Sequence, residues 1–425
     1  MNCCASTFTY IIEKMKKTLF ITLSLVPLFI FNSCGRDDLP IIKENPVEEF
    51  SPVNVTKTNP MKLYVHYMPW FESKASNNGT WGQHWTMANK NPDNTDANGK
   101  SEIASHYYPL IGPYASGDEN VIEYHLLLMK YSGVDGILID WNGTRNLYDY
   151  PSIKNNTEAI VKVLDKVGLN FAIVYEDQSL REGLQDAEKI AQAKTDMKYL
   201  EDNFFNKENY IKKNSKPLLM VFGPQEIKKP ADWTSIFSVL KTKPTFLTLY
   251  GHSAGIANEG DIKNAEGEYI WVDATPMETK YAGKDILMGG AYPGFNDFYK
   301  EGGWGESVLA DIDYANGATF KNLLAMAKDK KVDYLQLITW NDFGEGTMIE
   351  PTQEFKYSYL TELQGFAGVS YNVSVLENIY KLHSLRETYK NDAKKLKSLN
   401  QAFYYFVSLQ NDKAKGLIDE VQAIK

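Results

Sequence analysis

V134-D-G-I-L-I-D-W-N-G143 is a short apolar run that stops abruptly at Asp140, Trp141 and Asn142. A strand of this kind is buried on both faces, as in a parallel sheet covered by helices. Moving outward along the chain, similar runs recur at Lys62–Trp70 (K-L-Y-V-H-Y-M-P-W), Phe171–Asp177 (F-A-I-V-Y-E-D), Pro217–Gly223 (P-L-L-M-V-F-G), Thr245–Gly251 (T-F-L-T-L-Y-G), Glu268–Ala274 (E-Y-I-W-V-D-A), Ile286–Phe295 (I-L-M-G-G-A-Y-P-G-F) and Tyr334–Glu345 (Y-L-Q-L-I-T-W-N-D-F-G-E), eight in all. Between them lie stretches with an apolar repeat near 3.6 residues: Glu119–Tyr131, Ser152–Val167, Ala187–Asn203, Asp232–Leu240 and Phe320–Lys328. This alternation predicts an α/β chain folded as a (β/α)8 TIM barrel. Helical patterns at Asn372–Tyr389, Asn391–Phe406 and Asn411–Lys425 add C-terminal helices, and residues 71–117 read as an extended functional loop. No glycine-rich phosphate turn follows the first strand, which counts against an open doubly wound sheet.

The barrel domain is expected over residues 61–425. Ahead of it, M15-K-K-T-L-F-I-T-L-S-L-V-P-L-F-I-F-N-S-C34 has a positive start and an apolar centre too short for a membrane span, which predicts a signal peptide over residues 1–33 and leaves open a start at Met15. The sequence F31-N-S-C34 resembles a bacterial lipobox, with Cys34 the lipidated residue, and the acidic segment after it resembles the export tether of surface lipoproteins in Bacteroidetes. Residues 34–60 then read as the lipidated Cys and a flexible linker. These features predict an exported outer-membrane lipoprotein whose contact with the membrane is the anchor at Cys34, and a monomer.

The 425 residues carry a formal charge of −9, which argues against a nucleic-acid groove and a polybasic membrane patch. Cys3, Cys4 and Cys34 all precede residue 40, so the folded part has no disulfide, thiolate metal site or cysteine nucleophile. Aromatic residues are abundant, with 27 Tyr, 20 Phe and 8 Trp, many beside Asn, Asp, His or Gly. Sugars offer apolar ring faces to aromatics and hydroxyls to amides and carboxylates, so this mixture suits a carbohydrate partner.

In a barrel of this type the site forms at the carboxyl ends of the strands. Here those ends supply His66, Tyr67 and Trp70; Asp140 and Trp141; Tyr175, Glu176 and Asp177; Tyr250 and His252; Trp271; Tyr292; and Trp340, Asn341 and Asp342. His84 and Trp85, in the loop W81-G-Q-H-W85, are expected as a lid over the same pocket. The last strand carries the sharpest signal. Cleaving a glycosidic bond needs one carboxyl to protonate the leaving oxygen and a second beside it. Asp342 and Glu345 are separated by Phe343 and Gly344, in a turn where Gly344 and Gly346 allow a sharp fold. Glu350 and Glu176 are additional carboxylate candidates, Glu176 with Asp177 as a neighbour. His106 could join the cleft, whereas His125 and His383 read as structural. No H-E-x-x-H or other paired His spacing supports a metal, and no cofactor is expected.

The stretch Trp340–Pro351, W-N-D-F-G-E-G-T-M-I-E-P, resembles the catalytic strand of glycoside hydrolase families 71 and 99. Y64-V-H-Y-M-P-W70, the W81–W85 loop and G136-I-L-I-D-W141 add to the likeness in the same order along the chain. The resemblance implies a (β/α)8 hydrolase of α-linked polysaccharide, α-mannan-like or α-glucan-like. It places Asp342 at the first catalytic carboxylate and Glu345 at the general acid. Asp342 and the Phe343-Gly344 spacer depart from the usual family 99 pattern and are closer to family 71. An open aromatic-rimmed cleft implies endo action, and the alternative class is a glycan-binding lipoprotein without catalysis.

Overall fold

In the computed structural model the described residues are 46–273, 280, 286–332 and 334–423. The signal sequence and Cys34 lie outside them. Eight strands are β1 (Lys62–Tyr67), β2 (Gly136–Trp141), β3 (Asn170–Tyr175), β4 (Lys216–Val221), β5 (Thr245–Leu249), β6 (Ala265–Tyr269), β7 (Leu287–Ala291) and β8 (Tyr334–Leu337). Each pairs in parallel with the next, and β8 returns to β1 through Lys62 opposite Tyr334 and Val65 opposite Leu337. The barrel is closed. Strand side chains such as Val65, Ile137, Ile173, Leu219, Phe246 and Leu335 are all buried, Phe246 against Trp233 and Phe237 of the preceding helix.

The apolar runs mark these strands because both of their faces are covered. The sixth is displaced. Its apolar stretch begins at Glu268, yet the strand starts at Ala265, because a register shift opposite Phe246 and Leu247 passes over Glu266 and leaves Ile270 and Trp271 beyond the strand end. Helices α1 (Glu119–Tyr131), α2 (Tyr150–Val167), α3 (Asp186–Leu200), α4 (Pro230–Phe237) and α5 (Ala318–Asp329) lie close to their expected positions. Asp118 starts α1 by accepting the backbone N–H of Asn120 and Val121, which fixes where the long first loop ends. After β8 come α6 (Ser358–Ala367), α7 (Val373–Thr388), α8 (Ala393–Val407) and α9 (Asn411–Ala423). The first of these was not expected. Between β5 and β6 an antiparallel hairpin, Asn258–Glu259 with Ile262–Lys263, stands in place of a helix.

Residues 47–60, read from the sequence as part of a free linker, instead run along the folded body. Val53 donates its N–H to Val407, Thr58 to Gly368 and Asn59 to Ala367. Lys57 pairs with Asp135, which immediately precedes β2 and also binds Lys62. Pro and Asn made the segment look unstructured, but its backbone groups find partners on the helices that follow β8. Among the described residues no helix is long and apolar enough to cross a membrane.

Gly136, in the opening stretch, shows how close β2 and β3 run: a Cβ there would lie 2.4 Å from the carbonyl oxygen of Asn170. The obstacle is backbone, so relief requires the strands to part. Gly136→Ala is expected to cost about 1–3 kcal/mol by overpacking, read from the urea midpoint; an unchanged midpoint would show that the strand pair can yield.

Candidate active site

Past β8 the chain keeps its pairing for three more residues, with Trp340 donating its N–H to His66 at 2.7 Å. Asn341 then turns inward, and its amide takes the place of a peptide group. It accepts the N–H of Met68 at 2.8 Å and donates to the Met68 carbonyl at 2.9 Å. The chain then folds back on itself. Asp342 donates its N–H to Thr339 Oγ1, and Glu345 donates its N–H to Asp342 Oδ1 at 3.0 Å. Gly346 has φ +73, and a Cβ there would meet the Tyr314 hydroxyl at 2.6 Å, so glycine is required. Gly344 lacks a positive φ; it keeps the wall thin beside Met87. The loop after β7 clamps this turn from outside, Asn296 donating to the Glu345 carbonyl and Phe298 to that of Gly344.

Asp342 and Glu345 open into a pocket that is also lined by Asp140 and Glu176, from the ends of β2 and β3. Burial pushes the Asp342 carboxyl up to about 6, restrained by the N–H groups of Glu345 and Gly344 and by the His84 imidazole. Glu345 has fewer partners. Burial and the charge on Asp342 push it up to about 8, against the hydroxyl of Tyr299, which donates to Oε1 at 3.1 Å. Near neutral pH the first is ionised and the second keeps its proton. Burial also raises the carboxyls of Asp140 and Glu176, and Glu176 is raised further by the charges of Asp140 and Asp177.

Aromatic rings form the walls. Trp70 and His84 stack with centroids 4.2 Å apart and planes 4° from parallel, and His84 Nε2 lies 3.1 Å from Asp149 Oδ2. Opposite them Trp271 meets His66 and Phe222 edge-on, at 4.8 and 4.9 Å. Tyr299 and Trp304 stack at 6.3 Å on the loop after β7. Burial pulls the His66 pKa down to about 3, so a neutral imidazole faces the pocket. Among the described residues no three His, Cys, Asp or Glu side chains form a group that could hold a metal ion.

Of the residues expected from sequence, His66, Trp70, His84, Asp140, Glu176, Trp271, Asp342 and Glu345 come together at this pocket. The rest do not line it, and strand geometry explains most of them, because neighbouring side chains along a strand point to opposite faces. His66 faces in while Tyr67 faces out, its hydroxyl 2.9 Å from His125 Nδ1. Beside Asp140, Trp141 packs outward on Tyr199 at 5.6 Å, and beside Glu176, Tyr175 donates to Asp196 at 2.7 Å. Trp340 is buried against His125, and Asn341 serves the backbone of Met68. Trp85, expected as part of a lid, is wholly buried and donates its indole N–H to the Tyr114 carbonyl. Glu350 lies in a buried cluster, accepting from Tyr114 at 2.7 Å and lying 3.2 Å from His125 Nε2. Tyr292 donates to the Asp273 carbonyl, His106 approaches the Asp297 carbonyl, and neither Tyr250 nor His252 lines the pocket.

Tyr299, Trp304, Phe222 and Gln178 reach the pocket without having been singled out in the sequence. The available signal was Y299-K-E-G-G-W304, aromatics spaced by glycines just after a strand run. A second pattern was also passed over: G251-H-S-A-G255 has the spacing of a nucleophile elbow. An elbow joins strand to helix. Here Ser253 donates to Glu268, and the chain continues into the hairpin of residues 258–263.

Residues 60–244 match the model of glycosyl hydrolase family 99. Two structures of the family 99 endo-α-mannosidase of Bacteroides thetaiotaomicron share the fold with a TM-score of 0.56 and 19% identity. They cover 73% and 76% of this chain and 97% and 99% of theirs, and one is a complex with bis-tris-propane. A glycoside hydrolase-like protein, 13% identical, aligns over 76% of this chain and 97% of its own with a TM-score of 0.52. No curated protein matches the sequence.

Removing the Tyr299 hydroxyl takes a donor from the ionised form of Glu345. Tyr299→Phe is therefore expected to raise the Glu345 titration above its starting value near 8, followed by carboxyl 13C NMR. A downward shift would mean that the hydroxyl does not support the carboxylate.

Proposed function

We propose that this family 99-like glycoside hydrolase cleaves an α-linked polysaccharide, α-mannan-like or α-glucan-like, within the chain, using Asp342 and Glu345. The observation that carries the reading is the split between these two carboxyls. They leave one turn and enter one pocket, yet one has amide donors and the other a single hydroxyl. Glu345, protonated, gives its proton to the departing glycosidic oxygen. Asp342, ionised, balances positive charge at the anomeric carbon and accepts the proton of the attacking oxygen. The stacked Trp70 and His84 and the Tyr299–Trp304 pair offer flat surfaces to sugar rings. The choice of α-linked substrate and of endo action rests on the family match and on the likeness to an endo-α-mannosidase. The reading includes export and a lipid anchor at Cys34, supported by the N-terminal sequence.

The test is a screen of the mature chain on α-mannans and α-1,3-glucan, with product size and anomer followed by NMR. Glu345→Gln is expected to lower kcat/KM by about 10²–10⁴ for glycans with poor leaving groups while ligand binding survives. Turnover equal to that of the parent would remove the assignment, and binding without turnover in the parent would leave a glycan-binding protein.

Activity should also trace a bell in kcat/KM. The acid limb falls near pH 6 as Asp342 takes up a proton, and the alkaline limb near pH 8 as Glu345 loses one. A profile flat from about pH 5 to 9 would show that these groups do not carry the chemistry.

A further inference from the structure

Asp140 and Glu176 are not used by the proposed chemistry, yet they line the same pocket as Asp342 and Glu345. Both are more than nine-tenths buried, at 3% and 6% exposure, and Asp140 Oδ1 and Glu176 Oε2 meet no hydrogen-bond partner. Two other pocket-lining residues hold unpartnered buried atoms, His66 Nδ1 and Trp70 Nε1. Buried polar atoms in a folded protein are nearly always paired, so a group of open ones at one pocket marks where a ligand supplies the partners. The set holds acceptors on the carboxyls and a donor on the indole, which is the complement of a polyhydroxyl ring.

The two carboxyls also differ from each other. Asp140 receives the backbone N–H of Trp141, which favours its anion. Glu176 faces Asp140 on one side and Asp177 on the other. The Asp177 carboxyl, pushed up by burial, accepts the N–H groups of Gln225, Glu226 and Ile227 at 2.8, 2.8 and 2.9 Å, which favour its anion beside Glu176. Gln178 donates to Glu176, and Asp342 faces Asp140 across the pocket. Two carboxyls in contact in a dry site hold one proton between them.

We propose that Asp140 and Glu176 grip two neighbouring hydroxyls of the sugar ring lodged beside Asp342 and Glu345. Glu176 keeps the shared proton and donates to one hydroxyl, while Asp140 accepts from the next. The inference rests on the glycosidase reading and deepens it by assigning the specificity for that ring to a half-protonated carboxyl pair. When the shared proton is lost, two negative charges adjoin and the donor disappears, so affinity falls as the pH rises through the loss of that proton.

The experiment is calorimetric binding of α-1,2-mannobiose, α-1,3-mannobiose and nigerose to the mature Glu345→Gln chain, alone and combined with Asp140→Asn or Glu176→Gln. Asp140→Asn removes the charged acceptor and is expected to weaken binding about tenfold or more at every pH. Glu176→Gln retains a donor at the same place; it should weaken binding about threefold and abolish the alkaline fall. In parallel, carboxyl 13C NMR of the Glu345→Gln chain should show Asp140 and Glu176 sharing one proton at about pH 6. Two ionised or two protonated carboxyls at that pH, or equal losses of affinity in both variants, would overturn the pair. If the Glu345→Gln chain bound none of the three disaccharides, the glycosidase reading itself would fall, and this inference with it.

Discussion

The barrel closes where β8 meets β1, and a side chain carries that closure past the last backbone pair. Asn341 binds both the N–H and the carbonyl of Met68, as a peptide group of a longer strand would. Its amide also donates to the Tyr114 hydroxyl, which in turn donates to Glu350. The turn that carries Asp342 and Glu345 is thereby fastened to the first strand, the first loop and the chain beyond it. Asn341 and Glu350 are not at the pocket, but the position of the carboxyl pair depends on them.

The loop after β7 fastens the same turn from the other side. Asp297 is buried and accepts from Ser307 and from the N–H of Val308, which ties the ends of the segment bearing Tyr299 and Trp304. The result is an asymmetric environment for two carboxyls of one short turn. Asp342 has donors built into the backbone, whereas Glu345 has one phenol. Different ionisation at the same pH follows from this difference in partners and from the charge on Asp342, which raises Glu345 further.

The strands were legible because a parallel barrel removes polar alternation, leaving runs such as G136-I-L-I-D-W141 plain to see. The sixth was less so, since a register shift lets A265-E-G-E-Y269 pair without an apolar pattern. Within the site, the carboxyls and half of the aromatic wall could be recovered from sequence. Whole strand ends, however, came along together, Tyr67, Trp141 and Tyr175 with His66, Asp140 and Glu176. Alternation along a strand separates the two sets, and that rule can be applied to a sequence once one inward residue is fixed. Tyr299 and Trp304 are different. Their loop has no period, and hydrogen bonds from Asn296 and Phe298 to the β8 turn, and from Ala88 and Asn89 to Gly302 and Glu301, hold it at the pocket.

The pocket also carries a selectivity beyond shape. Four carboxyls line it, and neither Lys nor Arg is among its described lining residues. With Asp342 ionised and one further negative charge on the Asp140–Glu176 pair, the interior holds a negative potential that low-dielectric walls concentrate. A sulfated sugar, a phosphorylated one or a uronic acid would have to surrender its hydration to enter a field of its own sign. Electrostatics at this pocket therefore disfavours an acidic ligand relative to a neutral one.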